Sequence, residues 1–481
     1  MPKHILFIFT DQQRRDTIHA LGNEFIQTPA FDELANTSTV FDTAITPAPV
    51  CVPARLSMLA GQYPARTGCN NNNKGMVYDG EGFYDTVTKS GFRSCCVGKM
   101  HNSRDPYGSM GFEKRYTQEE LSNPEDDYTK FIVENFPWVF DYNGMRSEMY
   151  YVPQVSQLPP AAHPTQWVGD KSLEFLDSID TSKGENVFLM SSFIHPHPPF
   201  CPPAPWNKLY RDDVYPPHIP ENAEEFKPLV HWKFSLENMD TSARDVQRLR
   251  DFYYACISFV DYQIGRIIAK LKEKGMYDDT MIIFSSDHGE LLGDFACMGK
   301  RSMVDPSCHI PLMIHMPGQT EQKRRTDPVS LVDIAPTVLD FIGADYDKSE
   351  FDGVGLFSGE HHEYVYSQYD HNGKGAYMVT DGKNKLVYNC PDDRYYFFDT
   401  APEDRNKYDG MKDTETVRTL KGLLDAYRES DEGNRIAPAE SIEKSTAKKR
   451  KLNPHYPTRM DHVKRRVEEA ACIPEGYKID F

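Results

Sequence analysis

Four short polar stretches carry side chains able to do chemistry, and each follows an apolar run: "TDQQR" (Thr10–Arg14), "GKMH" (Gly98–His101), "IHPHPPF" (Ile194–Phe200) and "SSDHGE" (Ser285–Glu290). The carboxylates of Asp11 and Asp287 and the imidazole of His288 make a donor set for a divalent cation such as calcium, magnesium or manganese. The amide oxygen of Gln12 can add to it. Lys99 and His101 stand two apart, so in an extended segment they share a face. His195 and His197 flank one proline, and either of them can be the one that faces inward. Lys300 follows Met298-Gly299 in a Gly-flanked loop. A fifth stretch, "CVPARLSMLAG" (Cys51–Gly61), predicts a helix from Pro53 to Leu59 ended by Gly61, because proline suits the first turn, where no backbone N–H is needed. Cys51 then sits at the positive end of the helix dipole with Arg55 one turn along, a place that holds an anion. A nucleophile, a metal, fixed cations and two histidines together suit transfer of a tetrahedral oxyanion, sulfuryl or phosphoryl.

The elements that must position these groups are legible as alternation. Ile5–Phe9, Phe92–Val97, Val187–Phe193 and Met281–Phe284 have the character of buried parallel strands, and Thr28–Ala35, Phe83–Ser90, Gln166–Ile179 and Ala243–Lys274 of helices. The predicted class is α/β, with helices on both faces of a sheet and the polar stretches at the carboxyl ends of its strands, where open sheets bind ligands. Leu331–Ile342 predicts a helix broken or kinked at Pro336. Beyond Phe351 short alternating segments ("YVYSQYD", "GAYMVTD", "NKLVYNC", "DRYYFFDT") predict a small antiparallel sheet, followed by a helix over Thr414–Arg428. The expected division is a catalytic part over 1–355 and a smaller part over 356–481, whose basic stretch Lys444–Arg466 is a solvated arm or a cover for the cleft.

Composition narrows the partners. The formal net charge of −18 argues against nonspecific nucleic-acid binding and against binding bare anionic membranes. No apolar run is long enough to span a bilayer, and no signal peptide is recognised. The expected location is cytoplasmic if Met1 is the natural start, and periplasmic if a leader has been removed. The ten cysteines show no CxxC pair and no metal-finger spacing, so they are expected to be reduced and mostly buried, with Cys51 the one to examine.

"CVPAR" followed by "LSMLAGQYPARTG" resembles the C-x-P-x-R signature of type I sulfatases, within the alkaline phosphatase superfamily. The stretches "TDQQR", "GKMH", "PHPPF" and "SDHGE", the later "GK" and "KLVYN…DRYYFFDTAPEDRN" are similar to that family's other motifs, in order, over about residues 1–410. The resemblance implies an alkaline-phosphatase-like α/β sandwich with a large, mostly parallel sheet and a smaller C-terminal antiparallel sheet. It implies that Cys51 is oxidised to formylglycine (3-oxoalanine) by a formylglycine-generating maturation enzyme. One hydroxyl of the aldehyde hydrate would attack sulfur, and the second would drive collapse and release sulfate. Asp11, Gln12, Asp287, His288 and the modified Cys51 would hold the cation, calcium foremost. Gln12 departs from the second aspartate that many sulfatases have there. Arg55 would orient the hydrate, Lys99 and Lys300 would hold sulfate oxygens, His101 would assist collapse, and His197, or alternatively His195, would protonate the leaving oxygen. The implied substrate is a sulfated carbohydrate, such as a glycosaminoglycan-derived sugar, with candidate contacts in "CNNNNKG" (Asn73, Lys74) and near His163. The runner-up activity is that of a phosphonate monoester or phosphodiester hydrolase of the same superfamily.

Overall fold

The structure is a computed structural model that describes residues 3–72, 81–102, 107–120, 123–136, 139, 151–211, 214–219, 223–230, 234–399, 411 and 413–431. Its centre is an eight-stranded sheet: β1 (His4–Asp11), β2 (Thr39–Ile45), β3 (Arg93–Gly98), β4 (Lys114–Thr117), β5 (Val187–Pro196), β6 (Thr280–Ser286), β7 (Leu312–His315) and β8 (Lys323–Ser330), in the order β4-β3-β5-β1-β6-β7-β2-β8. Strand β1 pairs in parallel with β5 and β6, and β3 in parallel with β4 and β5. Only β7 runs antiparallel to its neighbours, so the sheet is mixed and mostly parallel. The expected α/β class holds.

Alternation along β1 shows the layering. Leu6 and Ile8 face one core, while Ile5, Phe7 and Phe9 face the other. The first core is closed by the helices Pro29–Asn36, Pro164–Asp177 and Ala243–Glu273 through Phe31, Trp167 and Ile264. The second is closed by Cys51–Ala60, Phe83–Lys89 and Ile334–Ile342 through Leu56, Tyr84 and Val338. Pro336 does not kink its helix. Leu331–Asp333 is a separate 3-10 turn and the α-helix begins at Ile334, so Pro336 falls in the first turn, where it costs no hydrogen bond.

The four predicted C-terminal segments are β9 (Val365–Tyr369), β10 (Ala376–Thr380), β11 (Asn384–Asn389) and β12 (Arg394–Asp399), an antiparallel sheet in the order β12-β11-β10-β9. One face packs on the helix Glu415–Ser430 through Tyr377, Leu386 and Leu420. The other face, with Met378, Val387 and Phe398, merges into the first core of the large sheet. Lys385 and Asp305 add an ion pair of 2.7 Å across that junction. The basic stretch Lys444–Arg466 lies outside the described residues. Among the described residues no helix is long and apolar enough to cross a membrane.

Candidate active site

The helix carrying Cys51 starts at Cys51 itself, two residues before the expected start. Val50 is extended, and Gly61, in the left-handed region at φ 65°, caps the helix by donating to Ser57 O. Pro53 still lies in the first turn. Cys51 Sγ, only 1% of the residue being exposed, stands 3.0 Å from Lys300 Nζ, 3.3 Å from His288 Nε2 and 3.8 Å from Asp11 Oδ1. Burial pushes its thiol up, but Lys300, Lys99 and His288 outweigh that and hold it well below the ordinary cysteine value.

Beneath Cys51 lies a cradle of carboxylates. Arg55 is completely buried and donates from Nη2 to Asp11 Oδ2 and from Nε to Asp287 Oδ2, both at 2.9 Å. Its Nη1 donates to Lys99 O and Ser192 Oγ. Arg55 therefore braces the two carboxylates, whereas the sequence suggested it would address the Cys51 side chain. Burial disfavours ionised Asp11, yet Lys99, His197 and Arg55 hold its carboxyl well below the usual range. Asp287 is pushed up, by burial first and by the neighbouring Asp11.

These groups fit a divalent cation. One ligand atom from each of Asp11, Cys51, Asp287 and His288 lies within 4.8 Å of all the others, and every one of these residues is buried. His288 Nδ1 donates to Gly289 O at 2.9 Å, which orients the ring so that Nε2 faces Asp287 Oδ1 (3.6 Å) and Asp11 Oδ1 (3.9 Å), where it would ligate a bound cation. Two carboxylates and one imidazole suit calcium, magnesium or manganese. Gln12 stands beside this group. Its backbone is left-handed (φ 66°), its Oε1 accepts from Lys300 Nζ at 2.8 Å, and its Nε2 donates to Glu290.

Around Cys51 a pocket is lined by Gln12, Cys51, Asn72, Glu120, Tyr151, His197, Phe234, Gly299, Lys300 and Arg301. Lys99 Nζ donates to Asp11 Oδ2 at 2.5 Å and to Glu120. His101 Nδ1 lies 3.3 Å and His197 Nε2 3.9 Å from Glu120 Oε1. His197 thus stands on the pocket wall. His195 stands behind it, with Nδ1 3.2 Å from Thr165 Oγ1 and its ring against His163. Burial, then His197, lowers the His195 pKa to about 3, so it is neutral. His163 is buried as well and caps the helix Pro164–Asp177 by accepting from Thr165 N. Neither residue lines the pocket. Asn73 and Lys74 lie outside the described residues.

The structure adds residues to which the sequence reading gave no role. Glu120 follows the four-residue strand β4, which has no apolar run to announce it. Glu290 Oε1 accepts from Leu292 N, and Oε2 from Tyr151 OH and Gln12 Nε2, so it sets the direction of the Gln12 amide. Asn72 belongs to the asparagine-rich turn already singled out, and its Oδ1 accepts from Val52 N at 3.0 Å.

Comparison with known proteins decides the family. The sulfatase family model matches residues 3–344. The chain belongs to the sulfatase family. It is an enzyme, a sulfatase by family, and a second family model, described as N-sulphoglucosamine sulphohydrolase, C-terminal, matches residues 293–430. An arylsulfatase of Clostridium perfringens is 29% identical over 372 residues, 71% of this chain and 75% of that one. The crystal structure of the phosphonate monoester hydrolase of Agrobacterium radiobacter shares the fold, with TM-score 0.74 at 22% identity, over 89% of this chain and 95% of that one. A structure solved in complex with its substrate D-glucosamine-2-N,6-O-disulfate shares it too, with TM-score 0.72 at 19% identity, over 90% of this chain and 99% of that one.

Proposed function

We propose that this sulfatase removes an O-sulfate from a sulfated carbohydrate, with Cys51 converted to formylglycine by a maturation enzyme. One observation carries the reading: a buried cysteine at the first residue of a helix, 3.0 Å from Lys300 Nζ and 3.3 Å from His288 Nε2, above two braced carboxylates. The Cys51 Sγ marks where the oxygens of the hydrated aldehyde would stand. That hydrate would supply two hydroxyls on one carbon: one oxygen would bond sulfur as the substrate's ester oxygen leaves, and loss of the other's proton would re-form the C=O and break the C–O bond, releasing sulfate. A divalent cation held by Asp11, Asp287 and His288 supplies Lewis-acid stabilisation of the charge that develops beside it.

The chain's own residues do the rest. Lys99 and Lys300 present two ammonium groups to the oxygens of the transferring group, and their fixed positions need no reorganisation as charge builds. His197, on the pocket wall, donates a proton to the leaving oxygen, and His101 takes the proton that must leave the hydrate. Arg55 holds Asp11 and Asp287 in register and opposes the effect of burial on their charge.

The carbohydrate substrate is supported by the match over residues 293–430 and by the fold shared with a structure that binds a sulfated glucosamine. Protein coexpressed with a formylglycine-generating enzyme, its conversion confirmed by peptide mass, tests the reaction. Paired aryl sulfate and aryl phosphonate esters are compared by kcat/KM with calcium and then with manganese. A sulfate preference is expected, followed by turnover of sulfated disaccharides. A phosphonate preference would replace this reading with that of a phosphonate monoester hydrolase.

A further inference from the structure

The pocket holds one cation that the proposed reaction does not use. Arg301 follows Lys300 directly, and both line the pocket. In extended backbone, successive side chains point to opposite sides. Arg301 escapes this rule because its backbone is left-handed (φ 74°), its N–H donating to Pro49 O at 3.0 Å. A long side chain held in that conformation is strained, and observed strain at a pocket wall points to a role there.

Its charge is also unusual. Lys99 is engaged by Asp11 and Glu120, Arg55 by Asp11 and Asp287, and Lys300 by Cys51 and Gln12. Arg301 makes no ion pair with any described residue. Its guanidinium has the ring of Tyr369, on β9, 6.0 Å away. In a chain of net charge −18, a half-buried arginine on the wall of the catalytic pocket, with no ion pair to any described residue, is placed to receive an anion. Asn72 lines the same pocket. Its Oδ1 is committed to Val52 N, which fixes the amide and leaves its NH2 group as a second donor.

We propose that Arg301 and Asn72 form a second anion subsite, which reads a negative group on the substrate other than the sulfate being cleaved. The substrate class is then a saccharide with at least two anionic groups, the second being either a uronate carboxylate or another sulfate. This inference rests on the carbohydrate sulfatase reading and sharpens it. Arg301 is a specificity-determining residue. Its planar fork pairs with either oxyanion in two parallel hydrogen bonds, which lysine does not reproduce.

Protein expressed without the maturation enzyme keeps Cys51 unconverted and serves for binding, measured by calorimetry at fixed salt. The probes are a monosulfated hexosamine, a disulfated hexosamine and a monosulfated disaccharide carrying a uronate. Wild type is expected to bind at least one of the two doubly anionic probes about 10- to 100-fold tighter than the singly anionic one. The arm that shows the gap identifies the second anion. Arg301→Gln is expected to close the gap, and Arg301→Lys to restore part of it, with melting temperatures unchanged. A wild type without a gap in either arm overturns the subsite, as does an Arg301→Gln variant that keeps the gap. The two proposals fail separately. Converted enzyme inactive on every sulfate ester strikes the proposed function, whereas active enzyme that binds singly and doubly anionic sugars alike strikes the subsite alone.

Discussion

Cys51 heads a helix at one end of the large sheet, and Cys95 and Cys96 lie within β3. All three are buried to within 1% of full. Burial pushes Cys95 far up and Cys96 up to about 11. Cys69, one further loop along, rises to about 12 for the same reason. Cys51 suffers the same burial and moves the opposite way, because Lys300, Lys99 and His288 surround it. Three residues after Cys96, the same strand has delivered Lys99 to Asp11 and hence to the edge of the Cys51 site. Burial is the shared condition, and the converging cations are what set one cysteine apart.

The strongest way to test that contrast is to remove one cysteine of each kind. Cys51→Ala is expected to bring turnover to background, a loss on the order of 10⁴-fold or more, with an unchanged far-UV spectrum. Asp287→Asn should do the same, and should also abolish the rise in melting temperature that calcium or manganese gives wild type. Next come the cations. Lys99→Ala and Lys300→Ala are each expected to cost about 100-fold or more in kcat, the scale of a lost oxyanion-stabilising group.

The contrast itself is read by alkylation of unconverted protein treated with EDTA. A depressed pKa means that the thiolate persists as pH falls. Iodoacetamide labelling of Cys51 should therefore fall less steeply as pH drops than that of an ordinary thiol, which slows about 10-fold per unit below about 8.5. Peptide mass should show Cys95 and Cys96 untouched, and Lys300→Ala should restore a steep pH dependence. Equal labelling of the three would break the comparison. The smallest effect belongs to Cys96→Ala, expected to cost about 1–2 kcal/mol in urea unfolding with kcat/KM within twofold of wild type.

The strands that bear the site were legible because each is a local pattern, an apolar run that stops at a polar cluster. Strands β2, β4, β7 and β8 were not. "KRYT" is too short to show a pattern, and "KRRTDPVS" is an edge strand whose first half is largely solvent-facing, so hydrophobicity does not mark it. Glu120 is invisible for the same reason, since only the pairing of β4 with β3 brings it to Lys99. The choice between His195 and His197 had no sequence answer, because it depends on what packs behind β5, namely Thr165 and His163. Arg55 was found as a residue on the right helix turn, but its bracing of both carboxylates requires the two strand ends to have met.

Gln368 in β9 donates its backbone N–H to Pro47 O at 2.9 Å, which ties the lead-in of the Cys51 helix to the small C-terminal sheet. A finished molecule with Cys51 only 1% exposed offers no extended segment for a modifying enzyme to grip. The conversion proposed for Cys51 would therefore belong to the chain's infancy. Roughly 320 residues separate Pro47 from Gln368, so at about 5–20 residues per second the ribosome leaves on the order of 15–60 s before that last strap is made. Slower translation past Cys51 should raise the fraction of active enzyme, and the small sheet, far from the chemistry in sequence, acts as the clock that ends the opportunity.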